Sequence, residues 1–419
     1  MSFLPRHIEA KVIKALEGFP IVFLNGARQT GKSTFTRMLR PLLTKNEREA
    51  GYISFDKPVL MAAAAAAPEM FLQSYQRPLI IDEVQMVPEL FRALKMEADK
   101  ARFENKPEAN GQFLLTGSAN ILALPKLSEA LVGRMAVLTL HPFSVAEASS
   151  HASGQLEKLL KLDFDFIKDR NISLIDAIRM ATFPEIAFAS AEQRSIWFDS
   201  YISTILQRDV RQIADLEKAH ILPHLLRLLA TRIGGIVNES DVAREAGLNS
   251  VTGKTYRNIL KLMFLSFDIR PWARNMGKRL VRAPKNYLSD TQMVCHLLDL
   301  DLEVVSHTKP ELFGHLLENF VATELIKQLS FSETRAELYH FRTSDNKEID
   351  FILEKPDGSI FAIEVKRSEL VTADDFRHIR LLREAVAHDF TGGIVFYLGK
   401  DIVPFGKDLW AVPLFSLWA

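Results

Sequence analysis

One cysteine, Cys295, stands in 419 residues, which excludes an internal disulfide and fits a reducing compartment. A lone thiol of this kind reads as a small buried apolar residue rather than a nucleophile. Net charge is missing too, since 52 Lys and Arg balance 52 Asp and Glu. Any grip on nucleic acid must therefore come from a local basic patch. No apolar run reaches the roughly 18 residues of a membrane helix, and residues 1–6 lack the apolar core of a signal peptide. A cytoplasmic protein without membrane contact is expected. What is present describes a folded chain: 47% hydrophobic and 25% charged residues, long enough for about two to four domains.

The strongest local signal is Gly26-Ala27-Arg28-Gln29-Thr30-Gly31-Lys32-Ser33, the pattern G-x-x-x-x-G-K-[ST]. An apolar run, Ile21-Val22-Phe23-Leu24, precedes it and reads as a buried strand. From Ser33 and Thr34 onward the spacing becomes helical. Strand, glycine loop and helix occur in the order a phosphate-binding loop requires. Its backbone N–H groups and the helix N-terminus attract phosphate. Residues 26–34 are thus expected to hold ATP or GTP, with Lys32 on the β- and γ-phosphates and the Ser33 hydroxyl on Mg²⁺. About fifty residues on, Leu79-Ile80-Ile81 ends in Asp82-Glu83. Asp82 is expected to hold the magnesium and Glu83 to orient or deprotonate the attacking water. A third strand, Gln112 to Thr116, runs into Gly117-Ser118-Ala119-Asn120, which sets small polar groups beside the catalytic strand. Arg134 reads either as an arginine finger, in cis or from a neighbouring subunit, or as a surface salt bridge.

Four modules are expected: an α/β ATPase domain over residues 1–150, a helical lid or spacer over 151–222, a winged helix over 223–300, and an α/β domain over 301–419. In the third, Asn238 reads as a helix cap with Asp241 in the first turn. That helix ends at Gly247, and Ser250 caps a longer one, a helix-turn-helix pattern. Strand-like segments follow at 265–269 and 280–281. The stretch from Arg270 to Lys285 carries Arg270, Arg274, Lys278, Arg279, Arg282 and Lys285 with no acid, which reads as a basic wing. Asn249, Thr252, Lys254, Arg257 and Asn258 would then face phosphates or base edges of double-stranded DNA; docking a protein is the other use of such a module.

In the last module a helix at 316–325 precedes strands at 337–342, 349–353 and 361–366. Pro356-Asp357-Gly358 joins the last two as a hairpin. Period-two alternation puts Glu364 and Lys366 on one face, with Asp350 alongside. Such a set can hold Mg²⁺ and place a lysine near a phosphate; it can equally form a salt bridge between strands.

Together the phosphate loop, the Asp82-Glu83 strand and Thr116-Gly117-Ser118 resemble the AAA+-related prokaryotic ATPases that end in a restriction-endonuclease-like module. Phe183-Pro184-Glu185, Leu317-Glu318-Asn319 and Glu348-Ile349-Asp350-Phe351 extend the resemblance over nearly the whole chain. It implies ATP and Mg²⁺ as cofactors, Ser118 and Asn120 as sensors of the γ-phosphate, and a PD-(D/E)XK fold. There Glu318, Asp350, Glu364 and Lys366 would form the active site, Asp350 and Glu364 as metal ligands. The expected function is a Mg²⁺-dependent ATPase coupled to DNA binding, with an ATP-regulated nuclease or a non-cutting scaffold as alternatives. A homo-oligomer or a protein partner is also expected.

Overall fold

Apolar segments bounded by glycine, proline or polar residues set the first sheet. The computed structural model describes residues 3–43, 49–104, 109–117, 131–168, 171–210, 218–275, 283–343, 345 and 347–419. By contact the chain forms two units, Met1–Pro142 with Leu262–Phe264 and Phe143–Lys261 with Leu265–Ala419.

In the first unit, helix α1 (Glu9–Gly18) leads into strand β1 (Ile21–Asn25) and then helix α2 (Lys32–Leu39). Strand β2 (Gly51–Ser54) is followed by α3 (Pro58–Ala66) and α4 (Pro68–Gln73). The alanine run is helical, and Pro68 interrupts it by forcing Ala67 out of the α region, at φ −144° and ψ 71°. Next come β3 (Leu79–Asp82), α5 (Leu90–Phe103), β4 (Phe113–Thr116) and β5 (Met135–Thr139). The five strands lie in the order β2-β3-β4-β1-β5, and every pairing is parallel. Every residue of β1, β3 and β4 is buried, as befits parallel strands covered on both faces. From β1 the chain crosses to the far edge at β2, then returns strand by strand. The direction reverses at β1, and ligands of such sheets bind in the crevice beyond the strand ends at that point.

In the second unit, α6 (Ala191–Thr204) carries a capping box at Ser190 and Gln193. Two short helices follow, α7 (Glu239–Glu245) and α8 (Ser250–Leu262). Asn238 caps α7 as expected, its side chain accepting from the Ser240 and Asp241 N–H groups. The cap of α8 is Asn249 rather than Ser250, its Oδ1 accepting from Thr252 N at 2.8 Å.

Strands β6 (Ser266–Pro271) and β7 (Lys285–Leu288) pair antiparallel. The expected strand at 280–281 and the cations Lys278, Arg279 and Arg282 lie outside the described residues. Helix α9 (Pro310–Phe331), begun by Pro310 at its first turn, precedes β8 (Glu337–Arg342), β9 (Glu348–Glu354) and β10 (Ile360–Val365). Helix α10 (Arg377–Val386), β11 (Phe390–Tyr397), β12 (Val403–Gly406) and β13 (Leu409–Pro413) complete the chain. All eight strands form one mixed sheet, β12-β13-β11-β10-β9-β8-β6-β7. The pair that follows α7 and α8 is therefore continuous with the C-terminal strands, through the parallel register Arg270↔Tyr339 and Pro271↔His340.

Two expectations need correction here. Arg257 does not face solvent: it is 2% exposed and donates to Glu239 and Asp268. A guanidinium with two acidic partners inside the unit is held there instead of reaching for DNA. Lys285 is likewise buried, at 1%, so it is no part of a basic surface. The Arg257→Ala variant should lose about 3 kcal/mol of stability, because it strands two acids near the core. Urea unfolding checks this, and an unchanged midpoint would contradict the buried assignment.

Candidate nucleotide site and a second carboxylate cluster

Three residues with positive φ shape the loop after β1: Gly26 at 143°, Gln29 at 63° and Gly31 at 89°. At Gly26 a Cβ would stand 2.3 Å from the Leu140 carbonyl oxygen, so no larger residue fits beside β5. Lys32 opens α2 and bends its Nζ back to donate to the carbonyls of Gly26 at 2.9 Å and Ala27 at 2.7 Å. Thr30 Oγ1 donates to Ala27 O at 3.0 Å. Burial pushes the Lys32 ammonium down to about 8, against the pull of Glu83 and Asp82. Ser33 and Thr34 are half-buried in the first turn of α2, and Arg28 is half-buried in the loop. Arg6, 6% exposed, fixes the loop from outside. Its Nη1 donates to Thr30 O at 2.8 Å and its Nη2 to His141 O at 2.6 Å. Sequence reading missed this arginine, for which no local pattern exists.

Asp82 ends β3 at 1% exposure. Its Oδ1 accepts from the Thr116 hydroxyl and its Oδ2 from the Tyr52 hydroxyl at 2.8 Å. Burial and this bond push the Tyr52 phenol up to about 12, so it stays a donor. Glu83 is left-handed, at φ 57° and ψ 44°, a conformation costly for a non-glycine residue and frequent at functional sites. Its N–H donates to Thr116 Oγ1 at 3.2 Å, and its carboxylate accepts from Gln85 Nε2. Thr116 thus joins the two acids. Ser118 and Asn120 lie outside the described residues. Arg134 makes a two-pronged pair with Asp99, at 2.6 and 3.1 Å, and donates to Val132 O at 2.8 Å. Of the two readings of Arg134, the salt bridge is the one present.

In the second unit the C-terminal acids do meet. The β9–β10 ladder stops at Phe351↔Ile363, and side chains continue it. Asp350 Oδ2 accepts from Val365 N at 2.9 Å, and Glu364 Oε2 accepts from Asp350 N at 3.3 Å. Lys366 Nζ donates to Glu364 Oε1 at 3.0 Å. Glu318 reaches in from α9, where Lys285 Nζ at 2.8 Å and the Tyr287 hydroxyl at 2.6 Å donate to its Oε1. Burial and the neighbouring Asp350 raise the carboxyls of Glu318 and Glu364 well above the usual range. Lys285, Tyr287 and Glu348 were not foreseen as members. A signal existed: Lys285-x-Tyr287 and Glu348-x-Asp350 each have the spacing that puts both side chains on one face of a strand. Among the described residues, no three His, Cys, Asp or Glu side chains are arranged to hold a metal ion. Phe183-Pro184-Glu185 serves packing: Phe183 lies 4.8 Å from the Tyr201 ring, and Glu185 accepts from Trp197 Nε1 at 3.0 Å.

Residues 18–149 match the model of an AAA domain, residues 172–303 a domain of unknown function (DUF8612), and residues 313–417 another (DUF4143). The chain is 28% identical over 409 residues to an uncharacterized protein of Mycobacterium tuberculosis (strain ATCC 25618 / H37Rv), covering 97% of this chain and 83% of that one. An uncharacterized protein of Haemophilus influenzae is 22% identical over 383 residues, with 86% of each chain covered. AMPPCP-bound DnaA from Aquifex aeolicus is 15% identical, covering 60% of this chain and 86% of that one at a TM-score of 0.29, too low to bear on activity. The parallel sheet, the loop geometry and the AAA domain match make the first unit a P-loop nucleotide-binding domain. Among the described residues no helix is long and apolar enough to cross a membrane.

Phosphates bind the charged form of Lys32. ATP affinity should therefore be full below pH 8 or so, where the ammonium keeps its proton, and fall as pH rises through that value. Titration with a fluorescent ATP analogue from pH 6.5 to 9.5 tests this. Lys32→Met should bind weakly throughout and lose the slope; an equal slope in the variant would assign the titration elsewhere.

Proposed function

We propose that the protein is a Mg²⁺-dependent ATPase that couples its nucleotide state to double-stranded DNA. The observation that carries the reading is the buried Lys32 ammonium, curled onto the Gly26 and Ala27 carbonyls where phosphates would draw it out, with Asp82 and Glu83 contributing to its electrostatics. Lys32 would exchange those carbonyls for the β- and γ-phosphate oxygens, and residues 26–34 would wrap the phosphates with N–H groups. The Ser33 hydroxyl and the Asp82 carboxylate are hard oxygen donors suited to Mg²⁺, which when bound would neutralise charge on the phosphates. Thr116 and Tyr52 hold the Asp82 carboxylate in one orientation. Glu83, released from Gln85, would orient the attacking water. Ser118 and Asn120 are proposed as γ-phosphate sensors. Arg134 would act as a finger, in cis or toward a second copy in a homo-oligomer, only after leaving Asp99.

For DNA, the exposed residues Val251, Lys254, Thr255 and Asn258 of α8 follow the spacing of one helical face. A winged helix is proposed, with β6 and β7 as wing strands and residues 151–222 as a spacer. Arg270, exposed at the end of β6, supplies a further cation for a phosphate.

Glu83→Gln keeps the shape and removes the base, so ATP binding should persist while turnover falls roughly 100-fold or more. Normal turnover in a phosphate-release assay would end the assignment of Glu83. Lys254→Ala with Arg270→Ala should weaken duplex binding for all sequences and flatten its salt dependence, by about one unit of slope for each phosphate left without its cation. An unchanged slope would remove this face as the DNA surface.

A further inference from the structure

A carboxylate cluster that served Mg²⁺ would aim several oxygens at one point and keep room there for water, at distances of about 2.1 Å. In this protein that point holds an ammonium. Lys285 Nζ lies 2.8 Å from Glu318 Oε1, 2.5 Å from Glu348 Oε1 and 3.7 Å from Asp350 Oδ1. The side chain is 2% exposed, so its charge has no recourse to water and depends on these three acids.

Other oxygens of the cluster are also taken by protein donors. Asp350 Oδ2 accepts from Val365 N, Glu364 Oε1 pairs with Lys366, and Glu348 Oε2 lies 3.3 Å from Arg342 Nη1. Gly234 leaves no room for a side chain beside Glu318: a Cβ there, where φ is +69°, would stand 2.9 Å from Glu318 Oε2. The donor set is that of a satisfied ion cluster, and it does not fit a resident divalent metal.

We infer that Lys285 is the built-in cation of this site, standing where the metal of a nuclease would have to sit, so that the C-terminal module works without metal and does not cut DNA. Its acids have a different task. Lys285 and Tyr287 belong to β7, Glu318 to α9, and Glu348 and Asp350 to β9. One ammonium therefore fastens the strand pair after the helix-turn-helix segment to the helix and sheet of the C-terminal module. None of these residues belongs to the ATP site, so the two assignments stand or fall separately.

The test is Mn²⁺ binding to the nucleotide-free full chain, followed by the electron paramagnetic resonance of free Mn²⁺. Wild type and Asp350→Asn should bind Mn²⁺ identically, because no metal reaches Asp350. Lys285→Met should melt lower than wild type and gain about one Mn²⁺ per chain, a site lost again in the Lys285→Met, Asp350→Asn double variant. Added Mn²⁺ should raise the melting temperature of Lys285→Met by roughly 2 °C or more and leave wild type unmoved. Mn²⁺ binding by wild type that Asp350→Asn abolishes would overturn the inference, as would Asp350-dependent cleavage of plasmid DNA by wild type. So would a Lys285→Met variant as stable as wild type that gains no site. If that variant does not fold, the two wild-type arms decide the matter alone.

Discussion

A charge removed from water must find a partner of the opposite sign or a full set of hydrogen bonds, and the second unit is arranged around that demand on one helix. Helix α9 is buried nearly all round and carries Glu318, Asn319, Glu324, Lys327 and Gln328 inside. Glu318 takes Lys285 and Tyr287. Asn319 exchanges bonds with both backbone groups of Leu288, at 3.0 and 3.2 Å. Lys327 donates to the carbonyls of Phe143 at 2.9 Å and Ala181 at 3.0 Å, and also to Glu324 at 3.1 Å. Gln328 donates to Leu417 O at 2.8 Å. Segments from the beginning, middle and end of this unit are thus tied to one rod by polar groups whose loss inside the core is expensive. Such partners specify which segments meet; the surrounding leucines and phenylalanines supply most of the driving force.

The same economy of buried charge shapes the first unit on a smaller scale. Lys32 rests on two carbonyls of its own loop, Arg6 pins Thr30 to His141, and Thr116 with Tyr52 occupies both oxygens of Asp82. Each contact gives a buried polar group a partner, and under the proposed function each would yield to a phosphate or a metal. The lysines of the two units therefore differ in kind. Burial lowers the pKa of Lys32, whose carbonyl partners are weak and exchangeable, whereas three acids outweigh burial at Lys285 and hold its pKa far above the usual lysine value. One is poised to move and the other is fixed.

Much of the first unit could be read from the chain because its signals are local. Strand, loop and Lys32 are contiguous, and Asp82-Glu83 closes an apolar run of its own. The hairpin bearing Asp350, Glu364 and Lys366 was legible for the same reason: alternation and a Pro-Asp-Gly turn fix its register. Arg257 and Lys285 were misread because their partners are distant. Lys285 finds Glu318 33 residues away in sequence, and a stretch of cations without acids looks like a solvated face. Strand β12 carries Pro404 and Gly406 at the sheet edge, where such residues are tolerated and the pattern is weakest. The contacts of Thr116 and Tyr52 with Asp82 could not be read from the sequence, since only the parallel order β2-β3-β4 brings both strands beside Asp82.

The two acidic sites are proposed to differ in what they accept, ATP with its metal at Asp82 and a lysine at Asp350. A crystal grown with Mn²⁺ and a non-hydrolysable ATP analogue, measured at an energy where manganese scatters anomalously, tests both halves at once. Nucleotide is expected in the loop of residues 26–34, with an anomalous peak between Ser33, Asp82 and the phosphates, and with the Lys285 ammonium still seated against Glu318 and Glu348. An empty loop, or an anomalous peak between Asp350 and Glu364 with Lys285 displaced, would contradict this proposal.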